Sequence, residues 1–175
     1  VDDTISRHLV KETARFPPLE EIRLFTGELF GNRIVCMLVP GDWKFEMIEI
    51  WERHSLWGGE TEIIVRDGEG MKKKGYSPIA GAYYSARLAA GEYLRSIQRS
   101  ARVIVIRSIS GDYWAPLGTW VVREAARQAM KNPAVPAETL QAAVRIATGI
   151  IGSDGWVPYS SLIPELRTQR TLSHF

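Results

Sequence analysis

The hydrophobic period of this chain changes near residue 78, and that change restricts the fold more than any other feature. Upstream lie four runs, EIRLFTGELF, NRIVCMLVP, WKFEMIEIW and TEIIVRD, rich in β-branched and aromatic residues. They are punctuated by Gly31-Asn32, Pro40-Gly41-Asp42, Gly58-Gly59 and Asp67-Gly68. Such runs between turn residues read as strands, and their succession predicts an antiparallel meander. Downstream the spacing becomes helical. IAGAYYSARLAAGEYLRSIQRSA predicts a long helix and RVIVIRSIS a buried strand. APLGTWVVREAARQAMKN predicts a second helix, with Pro116 near its first turn and Asn132-Pro133 at its end. PAETLQAAVRIATGI predicts a third, with Pro136 at its start. Ahead of the strands, DDTISRHLVKETARF predicts a helix capped by Asp3 or Thr4 and closed by Pro17-Pro18.

The order α-β-β-β-β-α-β-α-α calls for layered packing. The predicted class is α+β (mixed α/β), a central, mostly antiparallel sheet of about five strands covered by three to four helices. With 175 residues, one core suffices. Residues 1–166 are expected to form a single domain, and 167–175 a flexible tail after Pro164. The chain opens on Val1, and VDDTIS reads as mid-protein sequence, so a fragment of a longer chain is expected.

The formal net charge is only +2, so any nucleic-acid contact must come from a local patch. One cysteine, Cys36, lies in an apolar run, which fits core filling and a reducing, cytoplasmic compartment. His8, His54 and His174 stand apart, which argues against a zinc site built from this chain alone, and no metal ligand is assigned. No apolar stretch reaches the ~18 residues of a membrane span.

Candidate binding residues come from the helical faces. In the second long helix Leu117, Val121, Val122, Ala125 and Ala129 share one face, and Arg123, Glu124, Arg127 and Lys131 the other. Trp120 falls within the charged face. Either it packs on a missing domain or neighbouring loop, or it stacks on a base while the guanidiniums hold phosphate. Arg87 sits at the edge of an apolar face beside Tyr83 and Tyr84. It snorkels, pairs with an acid or holds an anionic ligand. RSISGDYWAPLG follows the buried strand and places Arg107, Asp112, Tyr113 and Trp114 just past a strand end, where ligands commonly bind. Asp2 and Asp3 read either as helix-cap residues or as paired carboxylates able to bind Mg²⁺ or act as acid and base. Asp67-Gly68 and DGEG read as ordinary turns.

The segments VDDTIS, GNRIVCMLVPGDWKFE, GAYYSARLAAGEYLRSIQRSARVIVIRSI and YWAPLGTWVVREAARQA resemble the C-terminal half of the archaeal Nre family of DNA-repair proteins. The resemblance covers nearly the whole chain, and YYSARLA and PLGTWVVRE are its most specific blocks. It implies a longer protein whose Cys-containing N-terminal region, a candidate metal site, lies outside this chain. It further implies a role in DNA repair and binding to the sliding clamp PCNA through a C-terminal motif. DNA or a nucleotide is the other implied partner, with Arg33, Tyr83, Tyr84, Arg87, Arg107, Trp120, Arg123 and Arg127 as its candidate contacts. An enzymatic alternative is a phosphatase acting on a nucleotide or ADP-ribose-like substrate, with Asp2, Asp3 and Glu124 as catalytic candidates; no cofactor is specified.

The chain ends in QRTLSHF, which matches the clamp-binding form Gln-x-x-aliphatic-x-x-aromatic at Gln169, Leu172 and Phe175. In a 3₁₀ turn such positions share one face, so Leu172 and Phe175 can enter one apolar pocket while Gln169 meets a polar one.

Overall fold

The structure is a computed structural model and describes residues 1–55, 58–70, 73, 75–113 and 117–172. Helix α1 (Asp2–Thr13) precedes strands β1 (Ile22–Leu29), β2 (Asn32–Val39), β3 (Lys44–Trp51) and β4 (Ile63–Glu69). Helix α2 (Gly81–Ser96), β5 (Arg102–Ile109) and α3 (Thr119–Lys131) follow. The chain then forms β6 (Val135–Ala137), α4 (Leu140–Ile151), a 3₁₀ turn (Val157–Tyr159) and α5 (Leu162–Leu172). The fold is α+β, with one six-stranded mixed sheet between two helical layers.

The strand order is β4-β3-β5-β2-β1-β6. Every neighbouring pair is antiparallel except β3 and β5, which run parallel. The first four strands are therefore not a meander, because β5 lies between β2 and β3. The residues of β5 explain its place. Val103 and Val105 are buried in one core, and Ile104 and Ile106 in the other. A strand apolar on both faces is stable only at the middle of a sheet covered on both sides.

Three local expectations also give way. Pro136 does not start a helix; it pairs with Arg23 in the edge strand β6, a position that tolerates a residue without an N–H. The following helix is capped by Thr139, whose hydroxyl accepts from the amide of Ala142 at 3.0 Å. Neither Asp3 nor Thr4 caps α1, which begins at Asp2 with Val1 as its N-cap. The carboxylates of Asp2 and Asp3 are taken instead by arginines of other helices. Asp67, Gly68 and Glu69 are not a turn but the last residues of β4, in register with Met47, Glu46 and Phe45.

Helices α1, α2 and α3 cover one face of the sheet, over a core that includes Tyr83, Phe45, Cys36 and Val122. Helices α4 and α5 cover the other, over Trp156, Ile48, Ile106 and Leu166. The first three helices run in the same direction. Asp2, Ser85 and Arg123 meet near their N-terminal ends, while Arg95 reaches Glu12 and Arg127 reaches Glu92 farther along. The starts of α2 and α3 touch: a Cβ added at Gly81 would come within 2.3 Å of the Thr119 methyl.

Candidate functional site

The N-terminal ends of the three parallel helices carry a charged cluster centred on Arg87. Its side chain is 2% exposed. Its Nη1 donates to both carboxylate oxygens of Glu69, at 3.0 and 2.8 Å, its Nε donates to the Ser6 hydroxyl at 3.0 Å, and its Nη2 reaches Asp3. It also lies 5.1 Å from the ring centre of Tyr84 and 5.9 Å from that of Tyr83. A buried guanidinium needs such full pairing, since an uncompensated charge there would be costly. Next to it, Asp2 accepts from the Ser85 hydroxyl at 2.8 Å and from Arg123 at 2.9 Å. Desolvation pushes the Asp3 carboxyl upward, but hydrogen bonds and charges from Arg7 and Arg87 outweigh it and hold the group below its ordinary value.

Beneath this cluster Lys73 pairs with Asp67 at 2.7 Å and sits 5.3 Å from the ring centre of Tyr83. Tyr83 is buried, and burial, with Glu69 and Asp67 nearby, pushes its phenol far above the ordinary value. Its neighbour Tyr84 accepts from the amide of Ser77 at 3.1 Å.

A second cluster lies toward the carboxyl ends of β3 and β5. Arg107, also buried, donates to Asn32 Oδ1 at 2.9 Å and pairs with Glu49. The rings of Trp51 and Tyr113 lie 5.7 and 5.9 Å from its guanidinium carbon. Beside it the Ser108 hydroxyl donates to Glu52.

Above Arg107 is a rim of exposed aromatic surface. Phe30, in the β1–β2 turn, is 57% exposed, and Trp120, in the first turn of α3, is 43% exposed. Their rings meet at 75°, with centroids 6.4 Å apart. Phe30 holds a left-handed backbone with φ 48°, as do His54 (φ 61°) and Ala80 (φ 56°) in the loops that follow β3 and precede α2, and Gln98 (φ 52°) just past the far end of α2. Non-glycine residues at such angles are strained.

The structure thus brings Asp2, Asp3, Tyr83, Tyr84, Arg87 and Arg123 into one region and sets Arg107 and Trp120 at the strand ends. It separates the others. Arg33 is on the opposite face of the sheet, bonded to Glu28 and to the carbonyl of Ile150 in α4. Arg127 pairs with Glu92 and Glu124, and its bonds to Glu92 are the main cause of its raised pKa. Glu124 is thereby held on the α3 surface, also 3.5 Å from Arg123. The backbone of Gln169 and Leu172 belongs to α5, while Trp114, Pro116 and Phe175 lie outside the described residues. Among the described residues no three His, Cys, Asp or Glu side chains gather as a metal site.

Glu69, Glu49, Asn32 and Phe30 were not legible as site residues. Glu69 hides in a Gly-flanked stretch that reads as a turn, and Glu49 occupies one polar position in an apolar strand. A carboxylate at an inward strand position is a usable signal, because burial there demands a cation.

Comparison with known proteins gives this architecture a family. Residues 1–58 match the family model described as "Archaeal Nre, N-terminal", and residues 69–175 match "Archaeal Nre, C-terminal". The chain is 36% identical over 157 residues to the DNA repair protein NreA of Archaeoglobus fulgidus, covering 89% of this chain and 40% of that protein. It is 36% identical over 153 residues to NreA of Haloferax volcanii, covering 85% and 36%. It is 34% identical over 179 residues to the DNA repair protein NreB of Archaeoglobus fulgidus, covering 100% and 46%. The chain spans less than half the length of these curated relatives. No solved structure matches it. A match to the C-terminal model over more than half of its residues makes this chain a member of the archaeal Nre family.

Proposed function

We propose that this chain serves DNA repair, brought to the sliding clamp PCNA by Gln169, Leu172 and Phe175 while its body faces DNA or a nucleotide. The repair role rests on the names of its relatives. The clamp reading rests on the spacing of the last seven residues, which offers one amide and two apolar anchors to separate pockets. Burial of Leu172 and Phe175 would contribute about 1.5–3 kcal/mol each, less the cost of ordering the segment. That balance favours a transient partnership with affinity on the order of micromolar.

The observation that carries the body's role is the exposure of Trp120 near the carboxyl ends of β3 and β5, the parallel pair of the sheet, and the carboxyl ends of parallel strands are where layered folds commonly hold ligands. A calorimetric titration into the cognate clamp, with and without residues 169–175, tests the tail: micromolar heat should vanish on truncation. A parallel titration with DNA tests the body, where Trp120→Ala should weaken binding. An intact chain that binds neither partner overturns the proposal.

A further inference from the structure

We infer that Phe30 and Trp120 form a stacking corner for an unpaired nucleobase, so that the ligand class is single-stranded or locally opened nucleic acid rather than intact duplex. The inference rests on the reading of a DNA-facing body and specifies what that body recognises.

Three observations carry it. First, two large aromatic rings stand in the open, at 75° and 6.4 Å, forming the walls of a corner. A flat ring laid on one wall meets the other edge-to-face, the arrangement aromatic groups prefer. Second, four arginines at this end of the molecule are committed within the chain, while Arg53 in the loop after β3 is exposed. Arg123 is held by Asp2, Arg127 by Glu92, Arg107 by Glu49 and Arg87 by Glu69. Among the described residues most cations here are neutralised, and such a surface grips phosphate weakly, so recognition falls mainly to base stacking, which a duplex hides. Third, Phe30 occupies a left-handed turn position suited to glycine. A half-exposed phenylalanine contributes little burial to offset that strain, so its side chain serves contact rather than folding.

The strain supplies a clean test. Phe30→Gly removes the ring and relieves the backbone, so the variant folds with a melting midpoint equal to or above that of the parent. The probes are a fluorescently labelled single-stranded oligonucleotide, the corresponding perfect duplex, and that duplex with one unpaired base, followed by anisotropy over a range of salt.

The parent chain should bind the single strand and the interrupted duplex at least about tenfold more tightly than the perfect duplex. The log–log salt slope should be no steeper than about −0.7, the value for one phosphate contact on a single strand. Phe30→Gly and Trp120→Ala should each weaken single-strand binding by about tenfold, and Phe30→Tyr should retain it. Equal affinity for perfect duplex with a steep salt slope overturns the inference in favour of phosphate recognition. Binding that survives both ring deletions overturns it too, yet leaves a DNA-facing body standing elsewhere on the chain. Failure to bind any of the three probes overturns the inference together with the DNA-facing body.

Discussion

Arg87 on α2 donates two hydrogen bonds to Glu69 at the end of β4, and both side chains are almost wholly buried, at 2% and 3% exposure. This pair ties the helical layer to the edge of the sheet, and through Asp3 and Ser6 it also ties down α1. Breaking it by Arg87→Met strands a buried carboxylate and should cost about 3–5 kcal/mol, read from urea denaturation. The double variant Arg87→Met with Glu69→Met should recover much of that loss, because neither charge is left alone. A double variant no more stable than the single one would show that the pair is not the source of the cost.

Acid should loosen the same region. The Asp3 carboxyl is held below its ordinary value of 3.8 by Arg7 and Arg87, against the opposing effect of burial. A carboxyl with a depressed folded value stabilises the fold above its unfolded pKa, and that contribution fades as the pH falls through the folded value. Asp3→Asn should therefore be less stable than the parent at neutral pH, with the difference shrinking as the pH falls below the ordinary value of 3.8 and through the depressed folded value. Denaturation midpoints of both proteins across acid pH provide the measurement.

Cys36 should be chemically silent in the folded chain. It lies fully buried in β2, and burial pushes its thiol up to about 12. The thiolate is the reactive form, so a thiol reagent at neutral pH should label the native chain far more slowly than the chain in denaturant. Equal labelling rates would contradict the buried placement of β2.

Glu46 should set how firmly the C-terminal helix is held. Its carboxylate is buried on the α5 side of β3 and accepts from the Ser160 hydroxyl, the Ser161 amide and hydroxyl, and Arg66. Ser160 in turn accepts from the amide of Ile163 in the first turn of α5. Glu46→Ala leaves these donors without their acceptor and should cost about 1–3 kcal/mol. Hydrogen exchange should accelerate in α5 ahead of the central strands. Unchanged protection of α5 would show that the helix is held by Leu162, Ile163, Leu166 and the Lys44–Glu165 ion pair without help from Glu46.

Local chemistry along the chain suffices to locate most elements. Alternation and turn residues mark β1 to β4, the apolar run marks β5, and helical spacing marks α2 and α3, because these signals depend only on neighbouring residues. The surplus of charge on one side of α3 and the misplaced Trp120 are legible for the same reason. Sequence by itself also supports the resemblance to the Nre family and the spacing of Gln169, Leu172 and Phe175. What only the tertiary structure decides is which distant residues meet. The two-faced apolar run of β5 is legible locally as a buried strand, but its insertion between β2 and β3 is a choice of distant pairing partners, which no local window contains. The same holds for the partners of Arg87 and Arg107. Glu69, Asp3, Glu49 and Asn32 lie 18 to 84 positions away in the chain, and burial of the guanidiniums makes those distant carboxylates and the amide obligatory. Phe30 reads as a turn residue in the sequence; the folded hairpin alone sets it beside Trp120, because contact between two side chains 90 positions apart is a property of packing rather than of pattern.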